Sequence, residues 1–132
     1  MTVFVCLDDN NGMMFNNRRQ SRDSRVIEQI KAISMGRKLY MDSYSAKLFE
    51  DFGVIVDDNF LEKMTEEDFC FVEKSFLKEY DEKIKTLVIF KWNKIYPFDK
   101  QLDISFNERK LKESYDFEGT SHEKITCEVW VR

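Results

Sequence analysis

Three short runs of consecutive apolar residues constrain this chain more than any other feature: Val3-Phe4-Val5-Cys6-Leu7, Phe69-Cys70-Phe71-Val72 and Leu87-Val88-Ile89-Phe90. A strand that is apolar at every position is covered on both faces, and such strands belong to parallel sheets layered with helices. Between the runs lie segments with helical character. Val26, Ile30 and Ile33 recur at helical spacing and predict a helix at about 24–34, with Gly36 as its stop signal. Strands alternating with helices make the fold class α/β.

The remaining elements follow from local patterns. Lys38 to Met41 reads as a short strand, and Ser43 to Phe49 as a second helix with Ser43 or Ser45 near its cap. Val54-Ile55-Val56 reads as a short buried strand, Asp58 to Met64 as one or two helical turns, and Ser75 to Tyr80 as a further helix. Ile84 to Trp92 is the longest apolar strand. Leu111 to Phe117 and Lys124 to Val131 both alternate, with turn residues Glu118 to Glu123 between them, so an antiparallel pair closes the chain. The expected architecture is a mainly parallel central sheet with helices on its faces and a C-terminal antiparallel hairpin. With 132 residues and no linker, repeat or low-complexity segment, a single domain over 1–132 is expected.

Charge and cysteine usage narrow the function classes. The net charge is −4, so the whole protein repels polyanions and nucleic acid is not an expected partner without a local basic patch. Cys6, Cys70 and Cys127 sit in apolar stretches without C-x-x-C spacing and read as buried free thiols; with no secretory signal, cytoplasm is the expectation. No apolar run approaches the roughly 20 residues needed to cross a bilayer, so no membrane association is expected. His122 is the only histidine, which excludes sites built from several imidazoles, and it reads as a surface residue of the hairpin. Asp8-Asp9 and Asp57-Asp58 read as turn or cap residues, since adjacent carboxylates on a strand point to opposite sides. No metal is expected.

The stretch from Asn10 to Arg25 reads as a long polar loop between the first strand and the first helix, and it holds Arg18, Arg19, Arg22 and Arg25. Junctions at the carboxyl ends of strands are where open α/β sheets bind ligands, and a helix N-terminus favours anions. Guanidinium forks suit carboxylates and phosphates. Arg22, Val26, Ile30 and Ile33 form one stripe if the helix begins near Ser21, which places Arg22 over the cleft. The alternative is a solvated basic loop paired with Asp8, Asp9 and Asp23. Met13, Met14, Phe15 and Tyr44 either stack on a flat ligand ring or pack the loop itself.

The order of these elements resembles the dihydrofolate reductase family over nearly the whole chain. Thr2-Val3-Phe4-Val5-Cys6-Leu7-Asp8-Asp9-Asn10-Asn11-Gly12-Met13 is similar to the family's opening strand and glycine-ended loop, and Lys83 to Phe90 followed by Tyr115 to Trp130 is similar to its closing strands. The resemblance implies the fold and puts His122 at the hairpin bend. It also marks departures. The family's Gly-Arg-x-Thr turn after the second strand reads Asp42-Ser43-Tyr44-Ser45 here, and its paired-glycine turn reads Glu73-Lys74-Ser75. Both turns approach the phosphates or the nicotinamide dinucleotide, so orthodox NADPH-dependent reduction is not expected, and no cofactor is assigned. The family's catalytic carboxylate on the first helix corresponds most nearly to Asp23, which is the candidate catalytic residue. Its neighbours Arg22, Ser24 and Arg25 favour a simple helix cap instead. The chain is also similar to short bacterial sequences labelled ribonuclease Z, but lacks the His-x-His-x-Asp-His ligands that activity requires.

Three functional readings stand at this level. The first is a cofactor-free binder of an anionic or nucleotide-like small ligand, using Arg18, Arg19, Arg22 and Arg25 with Met14, Phe15 and Tyr44. The second is an enzyme, either a divergent reductase or a metal-free lyase or hydrolase using Asp23. The third is a protein-interaction module in which Met13, Met14 and Phe15 meet a partner. Homodimerisation stays open, because no exposed apolar stripe can be assigned.

Overall fold

The computed structural model describes residues 1–132. The three apolar runs become β1 (Thr2–Leu7), β6 (Phe69–Phe71) and β7 (Thr86–Lys91), and β1 lies between the other two, parallel to both. Beyond β6 come β4 (Leu39–Met41) and β5 (Ile55–Val56), also parallel. On the other side β10 (Ile125–Val131) pairs antiparallel with β7 and with β9 (Lys110–Phe117). The order is thus β5-β4-β6-β1-β7-β10-β9, and β10 alone runs against the rest.

Because side chains alternate along a strand, the sheet has two cores. Val3, Val5, Leu7, Cys70, Leu87 and Ile89 pack on one face with Phe60, Leu61, Leu77 and Ile84. Phe4, Phe71, Val88, Phe90 and Cys127 pack on the other with Val26 and Ile30 of α1 (Ser24–Ser34). The three cysteines are free thiols, Cys70 and Cys127 buried and Cys6 half-buried.

The segment expected to be one polar loop is partly folded. Gly12–Phe15 (β2) and Arg18–Arg19 (β3) form a hairpin that joins Lys100–Gln101 (β8) in a second, three-stranded sheet. The hairpin turns at Asn16-Asn17, both with positive φ (50° and 58°), a conformation asparagine tolerates better than most residues and a two-residue hairpin requires. Met13 and Met14 are therefore buried in the core, whereas Phe15 stays exposed. Gly12 starts β2 where a Cβ would lie 2.6 Å from Gln20 Nε2, 2.8 Å from Phe98 Cβ and 2.9 Å from Asp8 Oδ1. Gly12→Ala is expected to cost about 1–3 kcal/mol by overpacking, measurable as a lower urea midpoint at unchanged m-value.

Other expectations shift in detail. The helix predicted over Ser43 to Phe49 is α2 (Ser43–Ala46) followed by a 3₁₀ turn Lys47–Phe49, and its cap is Asp42, which accepts from Ser45 N–H at 2.8 Å. β5 is an exposed sheet edge rather than a buried strand. The helix expected over Ser75 to Tyr80 is a 3₁₀ segment, Lys78–Lys83, entered where Asp103 accepts from the N–H groups of Leu77 and Lys78. The Asp58 to Met64 turn is α3 (Phe60–Lys63).

Candidate functional site

The start of α1 organises the carboxyl ends of β1, β6 and β7. Asp23 is its cap, accepting from Arg25 N–H at 2.9 Å, so Arg22 lies outside the helix and does not extend its inner stripe. That stripe is Val26, Ile30 and Ser34, with Ile33 exposed. Arg22 and Arg25 are both exposed.

Asp23 does far more than cap. Its buried carboxylate also accepts from Thr120 N–H and Oγ1, from Ser121 N–H and from His122 Nδ1, each at 2.9 Å. Burial pushes this carboxyl up, but the hydrogen bonds from Thr120, His122, Ser121 and Arg25 outweigh it and hold the carboxyl well below the usual range. Gly119 makes the approach possible, since a Cβ there would collide with the Asp23 carboxylate and lie 2.8 Å from Ile125 Cδ1.

His122, expected at the surface, is buried. Its ring stacks on Trp92 at 4.6 Å between centroids, and its Nε2 lies 3.1 Å from both Ser21 Oγ and Tyr96 Oη. These partners come from the β3–α1 junction, the end of β7 and the β7–β8 loop. The one histidine therefore ties together segments about a hundred residues apart, which no local pattern reveals.

Beside this cluster lies a cleft of about 510 Å³ between α1, the Lys47–Leu48 turn and Thr120–Ser121. Arg22, Lys31 and Lys47 border it with Glu28, while Ser24, Thr120 and Ser121 supply hydroxyls and Ile27 and Leu48 an apolar wall. Arg22, Lys31 and Lys47 take part in none of the chain's ion pairs. Sequence reasoning named Arg22 but missed the two lysines, Lys31 in the last turn of α1 and Lys47 at the start of the 3₁₀ turn, because only the folded chain brings them beside Arg22. A second hollow, of about 530 Å³ beside α3, is bordered by Asp58, Glu62, Glu79 and Asp103 against the one cation Lys78, and so has the wrong sign for an anion.

The other candidates lie elsewhere. Arg19 is paired at both ends of its fork with buried Glu73, at 2.7 and 3.0 Å, and stacks over the Tyr44 ring at 4.2 Å. Tyr44 also accepts from Arg19 N–H and has Lys74 Nζ 4.0 Å from its ring centroid. Ser45 Oγ donates to Glu73 at 2.7 Å. Arg18 and Phe15 border a separate hollow with Gln20, Tyr96 and Pro97. The four arginines are thus divided among different places, with Arg22 alone on the cationic cleft. Asp8 serves its turn, accepting from Asn10 and Gly12 N–H, and Asp57 and Asp58 serve theirs. No group of three or more His, Cys, Asp or Glu side chains is placed to hold a metal ion.

No protein-family model matches the chain, and no curated protein matches it in sequence. Among solved structures it is similar to dihydrofolate reductase from Enterococcus faecalis complexed with NADP(H) and RAB-propyl, with a TM-score of 0.73 over 99% of this chain and 95% of that one. The fold is that of dihydrofolate reductase. Sequence identity is 9%, so the likeness of this dihydrofolate-reductase-like chain to that enzyme concerns the fold, and its chemistry has to be argued from its own residues. No helix is long and apolar enough to cross a membrane.

Proposed function

We propose that this dihydrofolate-reductase-like protein binds a small molecule carrying a carboxylate or phosphate in the cleft at the start of α1, and that it is not an NADPH-dependent reductase. The observation that carries the binding reading is the set of cations, Arg22, Lys31 and Lys47, that border the cleft at the start of α1 and take part in no ion pair. Charge-assisted hydrogen bonds are about twice as strong as neutral ones, and the N-terminal amides of α1 add to the same field. Ile27 and Leu48 give the ligand an apolar side to lie against.

The residues present do not fit a nicotinamide dinucleotide held in the family's manner. Where the resemblance calls for a paired-glycine turn, Glu73 places a buried carboxylate already bonded to Arg19 and Ser45. Where it calls for a glycine and an arginine facing phosphates, Asp42 presents its carboxylate to the amide of Ser45. Two negative side chains thus stand at the two turns that meet the dinucleotide. The 132 residues act as one domain in this reading, since β1 and β10, from the two ends of the chain, both pair with β7.

A thermal-shift panel of inorganic phosphate, free and cyclic nucleotides, folates and NADPH tests the reading. Stabilisation by a phosphate compound is expected, about 2.7 kcal/mol at a hundredfold excess over Kd. Arg22→Ala is expected to weaken that binding about tenfold or more, the loss of one charge-assisted contact. Stabilisation by NADPH or folate alone contradicts the proposal.

A further inference from the structure

Ser21, His122 and Asp23 form a hydrogen-bonded relay at the mouth of the site, with Ser21 Oγ 3.1 Å from His122 Nε2 and His122 Nδ1 2.9 Å from Asp23 Oδ2. We propose that this relay is a nucleophilic centre in which Ser21 attacks acyl esters. Such constellations are recognised by geometry and roles, not by chain order or fold.

Each role follows from the contacts. Asp23 accepts from His122 Nδ1, and in the neutral imidazole that bond leaves Nε2 as the acceptor. Stacking on Trp92 and burial fix the ring in that orientation. Ser21 is only half-buried, and Arg22 beside it is exposed, so the hydroxyl lies at the rim rather than in the core. The backbone N–H groups of Arg22 and Asp23, next in the chain, make no hydrogen bond within the protein and are free to meet a developing oxyanion. The neighbouring Cys6 thiol does not compete, because burial pushes its pKa well above the usual range.

In the first half-reaction Ser21 Oγ bonds to the acyl carbon as its proton passes to His122 Nε2. The carbonyl re-forms by breaking the bond to the ester oxygen, which leaves with the proton from Nε2. Water then attacks the acyl-serine, giving one proton to Nε2 and returning it to Ser21 Oγ as the acid departs. The sum is ester plus water to acid plus alcohol. That the alcohol or acyl part carries an anionic group rests on the cleft reading above; the reactivity of Ser21 does not.

Tyr96 supplies a discriminating test. Its hydroxyl lies as close to Nε2 as that of Ser21, at 3.1 Å, and the single lone pair there cannot serve both fully. Being the more acidic hydroxyl, Tyr96 takes the larger share in the resting state. Removing it hands the lone pair to Ser21.

The experiment is labelling of the purified chain with phenylmethanesulfonyl fluoride, a neutral serine-directed reagent, followed by intact-mass kinetics and peptide mapping. One adduct at Ser21 is expected, absent from Ser21→Ala, slowed about 100-fold or more in His122→Gln and several-fold faster in Tyr96→Phe. The wild type is also expected to release p-nitrophenol from p-nitrophenyl acetate with a burst that Ser21→Ala lacks. No adduct, an adduct at Tyr96, or an equal rate in folded His122→Gln overturns the assignment. If His122→Gln does not fold, Tyr96→Phe decides, and a rate that is unchanged or lower overturns it. Silence of the anion panel would remove only the anionic part of the substrate class.

Discussion

Asp23→Ala is expected to lower the free energy of unfolding by about 3–5 kcal/mol, because it leaves buried donors without their shared acceptor. Thr120 N–H, Ser121 N–H, Arg25 N–H and His122 Nδ1 all lose their partner, the first turn of α1 loses its cap, and the β9–β10 loop loses its anchor to the helix. Urea denaturation at pH 7 measures the effect. The same residue sets an acid limit. Its carboxyl titrates lower in the folded chain than its ordinary value of 3.8, so its contribution is present well above that pH. The contribution is lost as pH falls below the ordinary value toward the depressed one. Stability of the wild type should therefore fall through this window, and that of Asp23→Asn should fall less over the same range.

Glu73→Ala is expected to cost about 3 kcal/mol, since it strands the Arg19 guanidinium and the Ser45 hydroxyl at the end of β6. Glu73→Gln keeps a hydrogen-bonding side chain and should cost about half as much. In a double-mutant cycle, Arg19→Ala and Glu73→Ala should couple by more than about 1 kcal/mol, because they are the two halves of one fork-to-carboxylate pair with only modest exposure. A cycle that sums to zero would mean that the pair is solvated and that Glu73 does not fill its turn.

The layout of the sheet was legible in the chain because its cause is local. Consecutive apolar residues in β1, β6 and β7 announce strands covered on both faces, and the spacing of Val26 and Ile30 announces α1. The hairpin β2–β3 was missed although its signal was present: Asn16-Asn17 between Phe15 and Arg18 is a two-residue turn, hidden by the polar residues around it. Arg22 was placed on the helix because its spacing to Val26 fits, but with Asp23 as cap the first helical residue is Ser24, two positions beyond Arg22. His122 was read as exposed because its neighbours Glu118 to Glu123 are turn residues. Its burial comes from Trp92, Tyr96 and Asp23, contacts that only the folded sheet brings together. Asp23 was read both as a cap and as a candidate catalytic residue; the structure gives it the cap, together with a partner, His122, that neither reading supplied.

The most direct test of the binding account is a two-dimensional amide NMR titration of the isotopically labelled chain with inorganic phosphate and, separately, with NADPH. Saturable shifts with phosphate are expected, confined to the amides from Ser24 to Glu28, at Lys47 and Leu48, and at Thr120 and Ser121. Shifts instead at Asp42, Ser45 and Glu73 on adding NADPH, with the α1 cleft silent to phosphate, would show that the dinucleotide site survives and that the account is wrong.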